Sequence, residues 1–259
     1  MAAALVKKSD MKTPTTVELD IEQNIAFIWL DGEVNRNALS LSTMRELDSM
    51  LVELEKNRDL AVILIRGRGP SFCAGFDLGP VIDDPPALND FIGVLGGLLK
   101  TIRRHRCVVI AGVDGAAVAG GCAIVSACDM VVVSPGSRLG YPVHQLGLSP
   151  VVSGNTLATS IGNGSARSLL LSGNLIDGTQ AFQVGLAMML DDMPIDRSEQ
   201  LARQVASHGP RALEATKSWL NELDESLSDE RFDAPVQASS PLADDEESMA
   251  LLKRRWARR

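Results

Sequence analysis

CVVIAGVDGAAVAGGCAIVSACDMVVV, residues 107–133, decides the fold. Residues 107–113 form an unbroken apolar run rich in Val and Ile, the composition of a strand buried on both faces. A glycine turn follows, Asp114-Gly115-Ala116-Ala117-Val118-Ala119-Gly120-Gly121-Cys122, and leads into a short apolar helix over 121–127. Residues 130–133 read as the next strand. Strands alternating with helices indicate an α/β fold with parallel pairing.

The pattern extends in both directions. Upstream, 87–105 reads as a long helix and 61–66 as another buried strand, bounded by Gly67 and Gly69 and followed by Ser71-Phe72-Cys73-Ala74-Gly75-Phe76-Asp77-Leu78. Ser40 is a fitting N-cap for a helix carrying Leu41, Met44, Leu47, Leu51 and Leu54 on one face. Residues 17–20 and 25–30 read as a hairpin across Glu22-Gln23-Asn24. Beyond Pro150 the chain turns helical, over 166–171, 179–185, 195–207 and 210–223. The Asp/Pro/Ser-rich stretch 226–241 reads as an extended connection, and 244–259 as a last helix, acidic at its start and basic at its end, as the helix dipole favours.

Composition narrows the function. A net charge of −8 over 259 residues argues against nucleic acid as a partner, since phosphate recognition needs a basic surface. The apolar fraction of 45% and charged fraction of 22% are those of a globular chain. No run reaches the ~18 consecutive apolar residues of a membrane span, and MAAALVKKSDMK is no signal peptide, so the expected compartment is the cytoplasm. Cys73, Cys107, Cys122 and Cys128 lack metal-ligand spacing and read as buried free thiols; no metal is expected.

Each glycine turn leaves a buried strand to open toward a helix, which frees backbone N–H groups to point at one spot. Two such turns on adjacent strands can converge on one oxygen. Alternatively, the glycines only permit tight helix–strand packing. Neither turn has dinucleotide or P-loop spacing.

Several ordered segments carry a resemblance: Asn37-Ala38-Leu39; Phe72–Leu78, which fits F-x-A-G-x-D-[IL]; Asp114-Gly115 with Ala119-Gly120-Gly121-Cys122; Cys128-Asp129; and Gly140-Tyr141-Pro142 with Leu146-Gly147-Leu148 and Pro150. A weaker match covers 171–186. Together they resemble the crotonase family, also called the enoyl-CoA hydratase/isomerase family. The resemblance implies a spiral of ββα units with the acyl-CoA site over 1–195, and a helical C-terminal part over 196–259 that drives assembly into a homotrimer or dimer of trimers. It implies that the N–H groups of Phe76 and Gly120 hold the thioester oxygen. It places Arg36, Asn37, Ala38 and Leu39, with Ala74, Asp77 and Leu78, along the CoA. CoA is part of the substrate, and no separate cofactor is implied.

The family's hydratases use two glutamates. At the corresponding positions this chain has Ala123 and Val143, which become acyl-pocket residues and put two-glutamate hydration in doubt. His144 and Tyr141 are the candidate replacements. In extended backbone His144 faces away from Val143, whereas Tyr141 shares its side. Asp77 reads as a local turn cap, Asp83 and Asp84 as a solvated loop tip, Cys122 and Ser126 as helix packing. The run Lys253-Arg254-Arg255 with Arg258 and Arg259 is either a solvated helix end or a contact to CoA phosphates, with Trp256 as an interface anchor. Two functions compete: an enzyme of enoyl-CoA hydratase/isomerase type, lyase or isomerase, that stabilises a thioester enolate, and a non-catalytic fatty acyl-CoA-binding protein.

Overall fold

The computed structural model describes residues 15–79, 85–243 and 245–256. Strands β1 (Thr16–Glu22) and β2 (Ile25–Asp31) form the expected hairpin, and helix α1 (Leu41–Leu54) is capped by Ser40, whose hydroxyl accepts from the Thr43 N–H at 3.1 Å. Three repeats of one design follow. Strand β3 (Val62–Gly67) is followed by short β4 (Ser71–Cys73) and α2 (Pro85–Arg104). Strand β5 (Val108–Val113) is followed by β6 (Ala116–Val118) and α3 (Gly120–Ala127), and β7 (Met130–Val133) by β8 (Arg138–Gly140) and α4 (Gly154–Ser172). The chain continues through β9 (Leu175–Asp177), α5 (Gly178–Gln183), β10 (Met189–Leu190), α6 (Pro194–Ala206), α7 (Pro210–Leu223), α8 (Glu230–Ser239) and α9 (Glu246–Trp256).

The first strand of each repeat joins a six-stranded sheet, ordered β1-β2-β3-β5-β7-β10 and parallel from β2 onward; the second joins a four-stranded sheet, ordered β4-β6-β8-β9. This is an α/β spiral of ββα units. The second sheet eluded sequence reading because its strands are three residues long, too short for alternation to register.

Period-two alternation divides the large sheet's side chains between two cores. Ile63, Ile65, Val109, Ala111 and Val113 face the main core with α1, α2 and α3. Val62, Leu64, Val108 and Ile110 face the other way, against Leu201, Ala202 and Val205 of α6. All four cysteines are buried free thiols. Buried Lys217 of α7 pins that helix to the sheet, donating to Asp129 Oδ2 at 2.6 Å and to the Cys107 carbonyl at 2.9 Å.

Two expectations fail. The stretch 226–241 is not extended but holds α8, despite Pro235 within it. Proline leaves the carbonyl four residues back without its helical donor. Here that carbonyl, of Arg231, accepts instead from Asn155 Nδ2 on α4, and Phe232 is buried beneath. The expected short helix over 166–171 is the second half of α4, whose course breaks at Gly162 (φ 77°, ψ 155°). Among the described residues no helix is long and apolar enough to cross a membrane.

Candidate active site

The first glycine turn is held by a parallel backbone ladder. The Ala74 N–H donates to the Arg36 carbonyl (2.9 Å), the Leu39 N–H to the Gly75 carbonyl (2.8 Å), and the Asp77 N–H to the Leu39 carbonyl (2.8 Å). Leu39 and Phe76 form the bridge at its centre. In parallel pairing the bonds to one strand come from the groups flanking the bridged residue, so the Phe76 N–H itself points away from residues 36–39. It enters no described hydrogen bond.

Asn37 anchors this ladder from beneath. Fully buried and at φ 57°, it accepts from the Gly32 N–H (2.8 Å) and donates to the carbonyls of Arg68 (2.9 Å) and Ser71 (2.7 Å). Its amide is therefore committed to the fold. Arg36, also at φ 57°, is exposed and has no ion pair among the described residues. Ala38 is half-buried, and Leu78 is buried in the cavity lining described below. Asp77 accepts from the Gly79 N–H at 3.4 Å, a local turn contact.

The second turn presents Gly120 as the first residue of α3, where an N–H has no intrahelical acceptor. Ala119 before it sits at φ 51°, ψ −111°, a conformation that costs an alanine about 1–3 kcal/mol. Its N–H donates to the Gly140 carbonyl at 2.8 Å, which holds the strained residue in place. The two turns touch: a Cβ on Gly75 would lie 3.4 Å from the Val118 carbonyl oxygen, and one on Gly120 would lie 2.6 Å from Phe76 Cε1. Two unspent N–H groups thus stand on adjoining turns beside one cavity.

That cavity of about 50 Å³ is lined by Phe76, Ala119, Gly120 and Ala123, by Leu88, Phe91, Ile92 and Leu95 of α2, and by Tyr141, Val143, Val152, Ser153, Ser239 and Leu242, among others. It has room for about three or four water-sized spheres. Ala123 and Val143 both line it. Tyr141 is the one ionisable residue in the described lining, and burial pushes its phenol well above the ordinary value.

His144 lies elsewhere. Residues 144–146 form a 3-10 turn, not extended backbone, and His144 is exposed, with Nδ1 3.2 Å from where a Gly173 Cβ would be. The opposite-side argument fails in its premise, yet His144 stays out of the lining. Ser126 packs: its hydroxyl donates to the Ala123 carbonyl (2.8 Å) and shares a bond with Thr156 Oγ1 (2.8 Å). Burial pushes the Cys122 thiol up to about 12, so it carries no thiolate at neutral pH. Asp83, Asp84, Arg258, Arg259 and the side chains of Arg255 and Trp256 lie outside the described residues; Lys253 and Arg254 are exposed.

Sequence reasoning missed the cavity's far wall. The α2 residues had helical spacing, but nothing in the spacing said which element they would face. Ser239 and Leu242 fell in or beside the segment read as extended.

Fold and site define the class, and the chain belongs to the Enoyl-CoA hydratase/isomerase family, whose sequence profile it matches over residues 20–251. It is 32% identical over 209 residues to 2,3-dehydroadipyl-CoA hydratase of Escherichia coli strain K12, covering 79% of this chain and 81% of that protein. It is 28% identical over 212 residues to the short-chain-enoyl-CoA hydratase of Clostridium acetobutylicum, covering 79% and 80%. The crystal structure of an enoyl-CoA hydratase/isomerase from Mycobacterium paratuberculosis superposes with a TM-score of 0.85 at 25% identity, covering 95% of this chain and all of that one.

Proposed function

We propose that the chain binds an acyl-CoA thioester with its carbonyl oxygen between the N–H groups of Phe76 and Gly120, and that it works by stabilising the enolate form without two-carboxylate hydration. The observation that carries this reading is the meeting of two unspent backbone donors beside an apolar cavity whose described lining contains no carboxylate. As negative charge develops on the thioester oxygen, fixed donors stabilise it without reorganising; one such donor is worth about 2.7–4 kcal/mol. Arg36, exposed beside the ladder, would meet a CoA phosphate, with the backbone of residues 37–39 and 74–78 along the pantetheine.

Hydration needs a base for the water and an acid for the α-carbon, each worth about 10²–10⁴ in rate. Ala123 and Val143 supply neither. Decarboxylation through the enolate needs less, because carbon dioxide leaves from the substrate itself, and isomerisation needs only a single proton carrier that moves the α-proton to the γ-carbon. A homotrimer or dimer of trimers would cover the exposed Trp219, Leu220 and Leu223 of α7.

The test is incubation of purified protein with crotonyl-CoA and longer 2-enoyl, 3-enoyl and malonyl-type CoA thioesters, followed by mass spectrometry. Turnover of a 3-enoyl or malonyl-type thioester with little hydration of crotonyl-CoA is expected. Fast crotonyl-CoA hydration contradicts the reading. The second reading, an acyl-CoA-binding protein without chemistry, draws on the same carboxylate-free lining; saturable binding with no turnover would establish it.

A further inference from the structure

The inner end of the apolar cavity is bounded from two directions. Along α3 the described lining includes Gly120 and Ala123 but not Ser126, one turn further on. There the way is shut: Ser126 Oγ lies 2.8 Å from Thr156 Oγ1 of α4, which donates to the Ser153 carbonyl at 3.1 Å, and both side chains are buried. Along α2 the lining includes Phe91, set edge-on to the Phe76 ring, and Leu95, but not Gly96. A Cβ on Gly96 would lie 2.4 Å from Val236 Cγ2 of α8 and 3.7 Å from Val152 Cγ1, so Val236 takes the place of a side chain there.

Val152 stands where the two boundaries meet. It shares a 3-10 turn with Ser153, lies beside Gly96, and presents a side chain 7% exposed to the cavity lining. The wall behind it is braced. Helix α8 runs antiparallel to α2: Asp229 at its start pairs with Lys100 and Arg104, each at 2.7 Å, and Val236 further along meets Gly96. Asn155, three residues after Val152, donates to the Arg231 carbonyl and ties α4 to the same helix. A wall packed on three helices does not yield to an extra methylene without overpacking.

Both helices measure the same depth. From Gly120 past Ala123, or from Phe91 to Leu95, is about one helical turn, about 5–6 Å at 1.5 Å per residue. An extended chain advances about 1.2 Å per bond, so about four or five carbons fit between a carbonyl held at Gly120 and the wall. We infer that Val152 is the residue that sets acyl length, stopping the chain at about six carbons including the carbonyl. This rests on the acyl-CoA reading proposed above.

The test is calorimetric titration of butyryl-, hexanoyl-, octanoyl- and decanoyl-CoA into the full chain. Affinity should rise about fourfold per added methylene up to hexanoyl-CoA, then fall about tenfold at octanoyl-CoA as the closed end is overpacked. Val152→Ala should move the tightest-binding chain to octanoyl-CoA, and Val152→Leu should move it back to butyryl-CoA. Opposite shifts in preferred length are a readout that a general loss of packing would not give, and circular dichroism reports the fold of both variants. If decanoyl-CoA binds the unaltered chain as tightly as hexanoyl-CoA, or if the preferred length is the same in all three proteins, the assignment of Val152 is overturned. If no acyl-CoA binds at all, the acyl-CoA reading itself falls and takes the length limit with it.

Discussion

A Cβ placed on Gly120 would come within 2.6 Å of Cε1 of the Phe76 ring and 3.1 Å of Leu39 Cδ1. The two glycine turns therefore close on each other with no room for a methyl group between them. The Phe76 ring cannot swing freely aside, because it packs edge-on against Phe91 with centroids 5.8 Å apart. Gly120→Ala should push the Phe76 turn outward and spoil the pairing of the two donors. Acyl-CoA binding or turnover should drop about a hundredfold, the scale set by losing one oxyanion donor, with the circular dichroism spectrum retained. Unchanged affinity and rate would count against the site.

Ala119 pays for the geometry of the second turn. At φ 51°, ψ −111° it occupies backbone space natural to glycine. Ala119→Gly should relieve strain worth about 1–3 kcal/mol, less the about 0.4–1 kcal/mol of extra unfolded-state entropy that glycine brings. A gain of about 1 kcal/mol in urea unfolding is expected; a loss would mean that the alanine methyl in the cavity wall matters more than the strain.

The large sheet's buried parallel strands and the glycine turns were legible because unbroken apolar runs and punctuating glycines mark them over several residues. Residues 62–65 and 108–113 announce buried strands, and Gly75, Gly115, Gly120 and Gly121 mark where the chain must turn tightly. Helix α8 was illegible for a tertiary reason: Asn155, 76 positions upstream of Arg231, supplies the hydrogen bond that Pro235 removes. The 3-10 turn at residues 144–146 was equally hidden, since sequence parity assumes extended backbone. Ala123 and Val143 were read as acyl-pocket residues because the family resemblance puts them where its hydratases carry glutamates.

His105 gives the protein an acid-sensitive core. It is 1% exposed; Nδ1 accepts from the Cys107 N–H at 3.0 Å, so Nε2 carries the proton and donates to the Leu51 carbonyl at 3.1 Å. Burial, then the nearby Lys217 charge, lowers its pKa to about 3, and Arg106 acts in the same direction. The Glu55 carboxylate 3.6 Å away favours the cation, but it is partly exposed and already accepts from the Arg106 N–H. The unfolded chain binds this proton below about pH 6.5 and the folded chain does not until about pH 3. Stability is therefore full above pH 6.5 and falls by up to about 1.4 kcal/mol per pH unit as the pH drops through that window. Urea unfolding between pH 7.5 and 4.5 should show the decline, and His105→Gln should flatten it. An equal slope in the variant would assign the decline to other groups.

Lys217 and Asp129 form a buried ion pair, with side chains 6% and 17% exposed. Asp129 Oδ2 also accepts from the Val109 N–H at 2.7 Å, so one carboxylate ties α7 to β5. Asp129→Asn would strand the ammonium beside backbone carbonyls. Breaking such a pair costs about 3–5 kcal/mol, which thermal melting should register as a clear fall in Tm. A change within about 0.5 kcal/mol, the range of ordinary surface substitutions, would mean that the pair is hydrated and dispensable.

The central claim, that Phe76 and Gly120 polarise a thioester carbonyl, is tested most directly by isotope-edited vibrational spectroscopy. Butyryl-CoA labelled with ¹³C at the thioester carbonyl would be measured free and bound to the full chain. Two aligned N–H donors should weaken the C=O bond and move the labelled stretch to lower frequency on binding, and Gly120→Ala should return most of that shift. A bound thioester whose carbonyl stretch matches that of the free molecule in an apolar solvent would contradict the account.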